Sequence, residues 1–135
     1  MADQIMTEGA KYVHHFKVTR TVYESFIAMS GDRNPLHTNS EFAISKGFKG
    51  AVMHGNILNG FVSYFVGECL PVKNVVIHAQ SIKYPLPVYM DDELEFNAEI
   101  SGFYESVNTY EFKFSFKNAE GKKVAKGDIQ IGLLK

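Results

Sequence analysis

Between Thr109 and Lys117 the chain alternates without a break. Tyr110, Phe112, Phe114 and Phe116 fall on one side, and Thr109, Glu111, Lys113 and Ser115 on the other. A β-strand sends successive side chains to opposite faces, so this stretch predicts a sheet with an aromatic inner surface and a polar outer one. Leu94, Phe96, Ala98 and Ile100 repeat the pattern against Glu93, Glu95, Asn97 and Glu99, and Ala125, Gly127, Ile129, Ile131 and Leu133 repeat it near the C-terminus. An aromatic face of this size has to be covered. One segment can cover it: Ile57, Leu58, Phe61, Val62, Phe65, Val66, Cys69 and Leu70 recur at helical spacing as a broad apolar stripe that Pro71 ends. Gly60 and Gly67 cost helix stability but let a neighbour approach closely. The reading is therefore an α+β fold: one domain over residues 1–135, a curved antiparallel sheet wrapped around a long central helix.

The remaining elements are read from caps and breakers. Residues 11–18 predict a first strand, and residues 74–84 another. Thr19 or Thr21 caps a helix that carries Val22, Phe26, Ile27 and Met29 inward and stops at Ser30–Gly31. A short helix is expected at 40–46, with Ser40 as its cap and Gly47 as its stop. Pro85 to Asp92 reads as a bend, and Asn118 to Gly121 as the turn joining the last two strands.

Composition narrows the function classes. The net charge is −1, and the densest basic cluster is Lys122–Lys123 with Lys126, too little for a nucleic-acid stripe. The single cysteine, Cys69, excludes an internal disulfide and a cysteine-based zinc site, which suits a reducing compartment. The opening MADQIMTEGA has no apolar run and no basic leader, and no stretch reaches the ~20 apolar residues of a membrane helix. A soluble, cytoplasmic protein with neither nucleic-acid nor membrane partner is the expectation. No metal site is expected, because His14, His15 and His78 show no H-x-x-x-H or HExxH spacing; phosphate-loop and G-x-S-x-G patterns are absent too.

Chemistry concentrates in SGDRNPLH, residues 30–37. Gly31 frees the backbone before Asp32, and Pro35 stiffens it and restricts Asn34, so the segment is read as a loop rather than regular helix. Such a loop can aim the Asp32 carboxylate and the His37 imidazole at one point, a good base for activating water. Spacing alone fits equally well an Asx turn closed by Asp32 and a surface His37. His54–Gly55 stands before the apolar helix, where unpaired N–H groups and the positive dipole end would suit a carbonyl oxygen or an enolate. Ser63 lies about two turns further on; a mid-helix serine either meets a substrate or, more commonly, satisfies a backbone carbonyl.

FIAMSGDRNPLHTNSEFA, residues 26–43, resembles the hydratase motif of the MaoC-like, (R)-specific enoyl-CoA hydratases, whose core S-G-D-x-N-P-[LIV]-H is matched throughout Ser30 to His37. MHGNILNGFVS, residues 53–63, resembles the family's second block, and SIKYPLPVYMDDELEF, residues 81–96, a third. The resemblance covers roughly residues 12–134. It implies the hotdog fold with an inserted overhang segment, and a homodimer with sites near the subunit interface. It also implies a water held by Asp32 and His37 and added at C3 of a trans-2-enoyl thioester, or the reverse dehydration of an (R)-3-hydroxyacyl thioester. Gly55 N–H would receive the thioester carbonyl, Asn34 would fix the loop, and Ser63 falls where some members place a serine in the site. No cofactor is implied beyond coenzyme A or an acyl-carrier thioester as substrate.

Asn56 stands where the second block usually has Met, and Asn59 adds a further polar group on the helix; either one points into the pocket or packs against a partner. His54 joins them as a supporting residue, and Lys46, Lys49 and Lys83 are candidates for the phosphates of coenzyme A. Two other readings stand beside this one. A hotdog thioesterase would need a carboxylate on or near the central helix, where Glu68 is the only acid and lies near the far end. A non-catalytic acyl-thioester binding module would be motivated by Asn56 and Asn59, but would not require the Asp32–His37 pair.

Overall fold

The structure, a computed structural model, describes residues 6–135. The first five residues of the stretch read above as lacking a leader lie outside the described residues.

Five strands form one antiparallel sheet: β1 (Lys11–Lys17), β2 (Val75–Lys83), β3 (Glu93–Tyr104), β4 (Thr109–Lys117) and β5 (Lys123–Leu133), in the order β1-β3-β4-β5-β2. The alternation sets which face is buried. Leu94, Phe96, Ala98 and Ile100 of β3 and Tyr110, Phe112, Phe114 and Phe116 of β4 all lie inside. Helix α4 (Asn56–Tyr64) runs across this face and continues as a single π-helical turn, Phe65–Cys69, before Pro71. Phe65 of that wider turn reaches into the sheet, with its ring 4.8 Å from Phe96 and 5.8 Å from Phe112. Phe61 stacks on Phe16 of β1 at 4.4 Å. Phe65, Phe96 and Phe112 are fully buried, and each contributes roughly 2–3 kcal/mol through the area it removes from water. The result is the hotdog arrangement, with the helix as filling and the sheet as wrap.

Two local expectations are corrected. Residues 30–37 are not loop throughout: Pro35 at the first position and Asn34 as cap start a one-turn helix, α2 (Pro35–Thr38), that carries His37. The Asn34 side chain accepts from Leu36 N–H at 3.0 Å, and Pro costs nothing here because its missing N–H would be unbonded anyway. The next helix, α3 (Ser40–Ser45), is capped by Asn39 rather than Ser40, the Asn39 amide oxygen accepting from Phe42 N–H at 3.1 Å. The leading helix, α1 (Arg20–Ser30), is capped by Thr19 and ends at Gly31 with φ +74°, a conformation suited to glycine.

Candidate active site

The end of α1 aims Asp32. Gly31 N–H closes the helix on Ile27 O at 2.7 Å. Ser30 Oγ–H donates to Phe26 O and accepts from Asp32 N–H, which fixes the peptide that follows. One carboxylate oxygen, Asp32 Oδ1, accepts from Asn34 N–H at 3.1 Å. The other, Oδ2, faces His37 Nε2 at 4.0 Å. The Asx turn weighed from spacing is therefore real, and it uses only one of the two oxygens.

His37 is held from both ends. Its carbonyl accepts from Tyr23 O–H at 2.7 Å, and its Nδ1 lies 2.7 Å from Val52 O. A carbonyl only accepts, so Nδ1 carries the proton, and the lone pair of the neutral ring sits on Nε2, toward Asp32. His54, 3% exposed, stacks on His37 with ring centres 4.0 Å apart. Its Nε2 donates to Asp32 O at 2.9 Å, while its buried Nδ1 has no hydrogen-bond partner among the described residues. By the same argument His54 carries its proton on Nε2. It pins the Asp32 peptide and backs the His37 ring.

These three residues come together across the connector, so the spacing argument against a metal site did not see the group they make. Asp32, His37 and His54 each present a ligand-type atom, all within 4.8 Å of one another. One ring nitrogen of each histidine is already committed to a main-chain carbonyl.

Beside this group opens a cleft of about 430 Å³. His37, His54, Gly55 and Asn56 line one side of it, and Tyr84 to Val88, the segment after β2, line another. Val18, Phe48, Met53, Ile57 and Leu58 make its apolar walls. A second groove of about 610 Å³, lined by Lys49, Tyr89 and Arg20 among others, shares His37 and Met53 with the first.

Gly55 is the cap of α4, with φ −57° and ψ −35°, so its N–H belongs to the first turn and has no intrahelical acceptor. A Cβ added there would lie 2.9 Å from Tyr84 Cζ and 3.0 Å from its Cε1. The backbone angles suit alanine; the Tyr84 ring does not. Gly55→Ala is therefore expected to leave the melting temperature within about 3 °C and to cut activity at least about tenfold, through a displaced ring and an obstructed N–H. Thermal unfolding and steady-state kinetics on the same preparation check this.

Asn56 lines the cleft, whereas Asn59 does not. Instead Asn59 donates to Asn56 Oδ1 and to Tyr84 Oη, and accepts from Gln80 Nε2–H. Ser63 lies on the exposed face of α4, outside the cleft lining; within one chain the structure does not bring it to Asp32 and His37. Among the lysines, Lys46 Nζ lies over the Phe42 ring, Lys49 lines the second groove, and Lys83 ends β2 next to Tyr84. Tyr84 and Tyr23 were missed as site residues. Tyr84 stood inside the third block, between Lys83 and Pro85, but nothing local shows that it packs on Gly55.

The model of the family described as MaoC like domain matches residues 3–120 of this chain. The chain belongs to the MaoC-like domain family. The (R)-specific enoyl-CoA hydratase of Aeromonas caviae is 35% identical over 81 residues, 60% of this chain; the match spans 60% of that relative's length. The (R)-specific enoyl-CoA hydratase of Rhodospirillum rubrum is 29% identical over 128 residues, covering 92% of this chain and 88% of the relative. A solved structure described as the (R)-hydratase from A. caviae involved in PHA biosynthesis superposes with a TM-score of 0.88 at 26% identity, covering 96% of this chain and 98% of that one. The MaoC-like assignment and the hotdog topology thus rest on separate observations.

Proposed function

We propose that this MaoC-like protein is a hydro-lyase that adds water across trans-2-enoyl thioesters to give (R)-3-hydroxyacyl thioesters, or catalyses the reverse. The observation that carries the reading is the 4.0 Å separation of Asp32 Oδ2 and His37 Nε2. That gap is too long for a direct hydrogen bond. It suits a water about 2.8 Å from both atoms, meeting them at roughly 90°, close to the angle between its own two O–H bonds. Such a water donates to both groups and leaves a lone pair for the substrate.

The chemistry then balances without a further cofactor. The water oxygen bonds to C3 while His37 Nε2 takes its proton. The C2–C3 electron pair moves toward the thioester oxygen, which Gly55 N–H stabilises as an enolate-like state. His37 returns the proton to C2. Asp32 remains ionised and stabilises the imidazolium between the two proton transfers.

His37 and Met53 stand where the cleft and the second groove meet, so the acyl arm and the carrier arm have separate paths. Lys49 in the second groove and Lys83 beside Tyr84 are positioned to meet phosphates of coenzyme A or an acyl-carrier prosthetic group. We read the protein as a cytosolic homodimer, and the exposed face of α4 that carries Ser63 as one that a second copy covers. A thioesterase would want an acid near the cleft on the central helix. Glu68 is exposed in the π turn and outside the cleft lining.

The test is direct. Purified protein mixed with crotonyl-CoA is expected to bleach the absorbance of the conjugated thioester, with (R)-3-hydroxybutyryl-CoA as product. Release of free thiol without loss of the double bond would replace this reading with the thioesterase.

A further inference from the structure

Four polar side chains at the rim of the cleft form a network that the acid–base chemistry does not use. The Asn59 amide oxygen takes a hydrogen from Gln80 Nε2, and its nitrogen gives one hydrogen to Asn56 Oδ1 at 2.7 Å and the other to the Tyr84 hydroxyl oxygen, Oη, at 3.2 Å. Every donor and acceptor site of Asn59 that these contacts need is then occupied. The Tyr84 oxygen accepts in this network, so its own hydrogen is left to donate elsewhere. Burial pushes the Tyr84 phenol above its usual range, against a smaller downward pull from Asn59. The hydroxyl therefore stays protonated at neutral pH.

The position of that hydroxyl is restricted. Tyr84 Cζ lies 2.9 Å from where a Gly55 Cβ would be. The phenol oxygen is bonded to Cζ, so it sits within about 6 Å of the Gly55 Cα, and Tyr84 and Gly55 line the same cleft. A carbonyl oxygen that accepts two hydrogen bonds of ordinary length holds its donors roughly 4–5.5 Å apart. Gly55 N–H and Tyr84 O–H have that kind of separation available to them, from two different elements.

We propose that Tyr84 O–H is a second hydrogen-bond donor to the thioester oxygen, acting with Gly55 N–H, and that Asn59 is the positioning residue that aims it. This rests on the thioester reading above and adds a catalytic residue to it. A donor fixed in advance strengthens as negative charge builds on the oxygen, so its effect falls on turnover rather than on substrate affinity. The absence of a Cβ at Gly55 then has a reason, since only glycine admits the ring that carries the second donor.

Tyr84→Phe keeps the ring on Gly55 and removes only the hydroxyl. Its kcat for crotonyl-CoA hydration is expected to fall between about tenfold and a hundredfold, with KM changed less than about twofold. Asn59→Leu, which keeps the size but not the amide, is expected to lose less. The double variant should be no slower than Tyr84→Phe alone, because both changes remove the same bond.

A second readout does not depend on turnover. A conjugated enoyl thioester with an extended chromophore, 4-dimethylaminocinnamoyl-CoA, bound to Asp32→Asn protein should shift its absorbance to longer wavelength as the carbonyl is polarised. Adding Tyr84→Phe should shrink that shift. An unchanged kcat, a rise in KM alone, or an undiminished shift in Tyr84→Phe overturns the proposal. Failure of the wild-type protein to hydrate any enoyl thioester would instead count against the hydratase reading, and the absorbance shift would still decide the role of Tyr84.

Discussion

Asp32→Asn is expected to reduce kcat for enoyl-thioester hydration by roughly a thousandfold or more, and His37→Gln by a similar factor. The reason is geometric. Asn at position 32 still offers an oxygen to Asn34 N–H, so the turn after α1 survives. What is lost is the negative charge facing His37 Nε2 across 4.0 Å. Without it, the imidazolium formed when His37 takes a proton from water has no counter-charge. Gln at position 37 removes the basic nitrogen altogether. The two changes strike one unit, so the double variant should be little worse than either alone. The Asp32 side chain is about half exposed, so Asp32→Asn should melt within about 3 °C of the parent, whereas His37→Gln also gives up the Nδ1 bond to Val52 O and the stack on His54 and should melt several degrees lower. Stopped-flow or steady-state absorbance on crotonyl-CoA reads the first quantity, and thermal unfolding the second. More than a tenth of parental activity in either variant would remove the pair from the chemistry.

The largest effect on stability is expected in the sheet, at Gly127→Ala. Gly127 lies in β5 between its partners Ile82 on β2 and Phe114 on β4. A Cβ there would sit 1.9 Å from the Ser81 carbonyl oxygen and 2.8 Å from Phe114 Cζ. The first neighbour is backbone within a ladder and cannot turn aside, so β2 has to separate from β5. A cost of roughly 3 kcal/mol or more follows, seen as a fall in melting temperature on the order of 10 °C or as loss of soluble protein. Gly132→Ala makes the informative contrast. Its Cβ would also meet a neighbour too closely, but the neighbour is the ring of His78, an exposed side chain. That ring can swing away, and the loss should be well under half as large. Equal melting temperatures for the two variants would contradict this account.

The alternation in β3, β4 and β5 was legible because a half-buried strand writes its two faces into the sequence at period two, and the covering helix was legible from its own stripe. The details that went astray are those set by one or two hydrogen bonds. Asn39 and Ser40 are both good caps, and only the path of the chain chose Asn39. Pro35 reads equally as a stiffener of a loop and as the first residue of a helix, and here it starts the turn that carries His37. Asp32 and His37 stood out because their motif is contiguous. His54 reads as a supporting residue without a defined partner, since nothing local shows that it donates to the Asp32 carbonyl and stacks on His37.

The sequence by itself determined the layers, the single apolar helix and the segment that holds the acid and the imidazole, because each depends on residues close together in the chain. Only the tertiary structure decided which nitrogen of His37 faces Asp32, how far apart they stand, and that Tyr84 and Asn59 meet over Gly55. Those features join α2 to the residue before α4, and the end of β2 to the first turns of α4. They depend on where the overhang and the strand end come to rest on the helix, which is settled by packing and not by any local pattern.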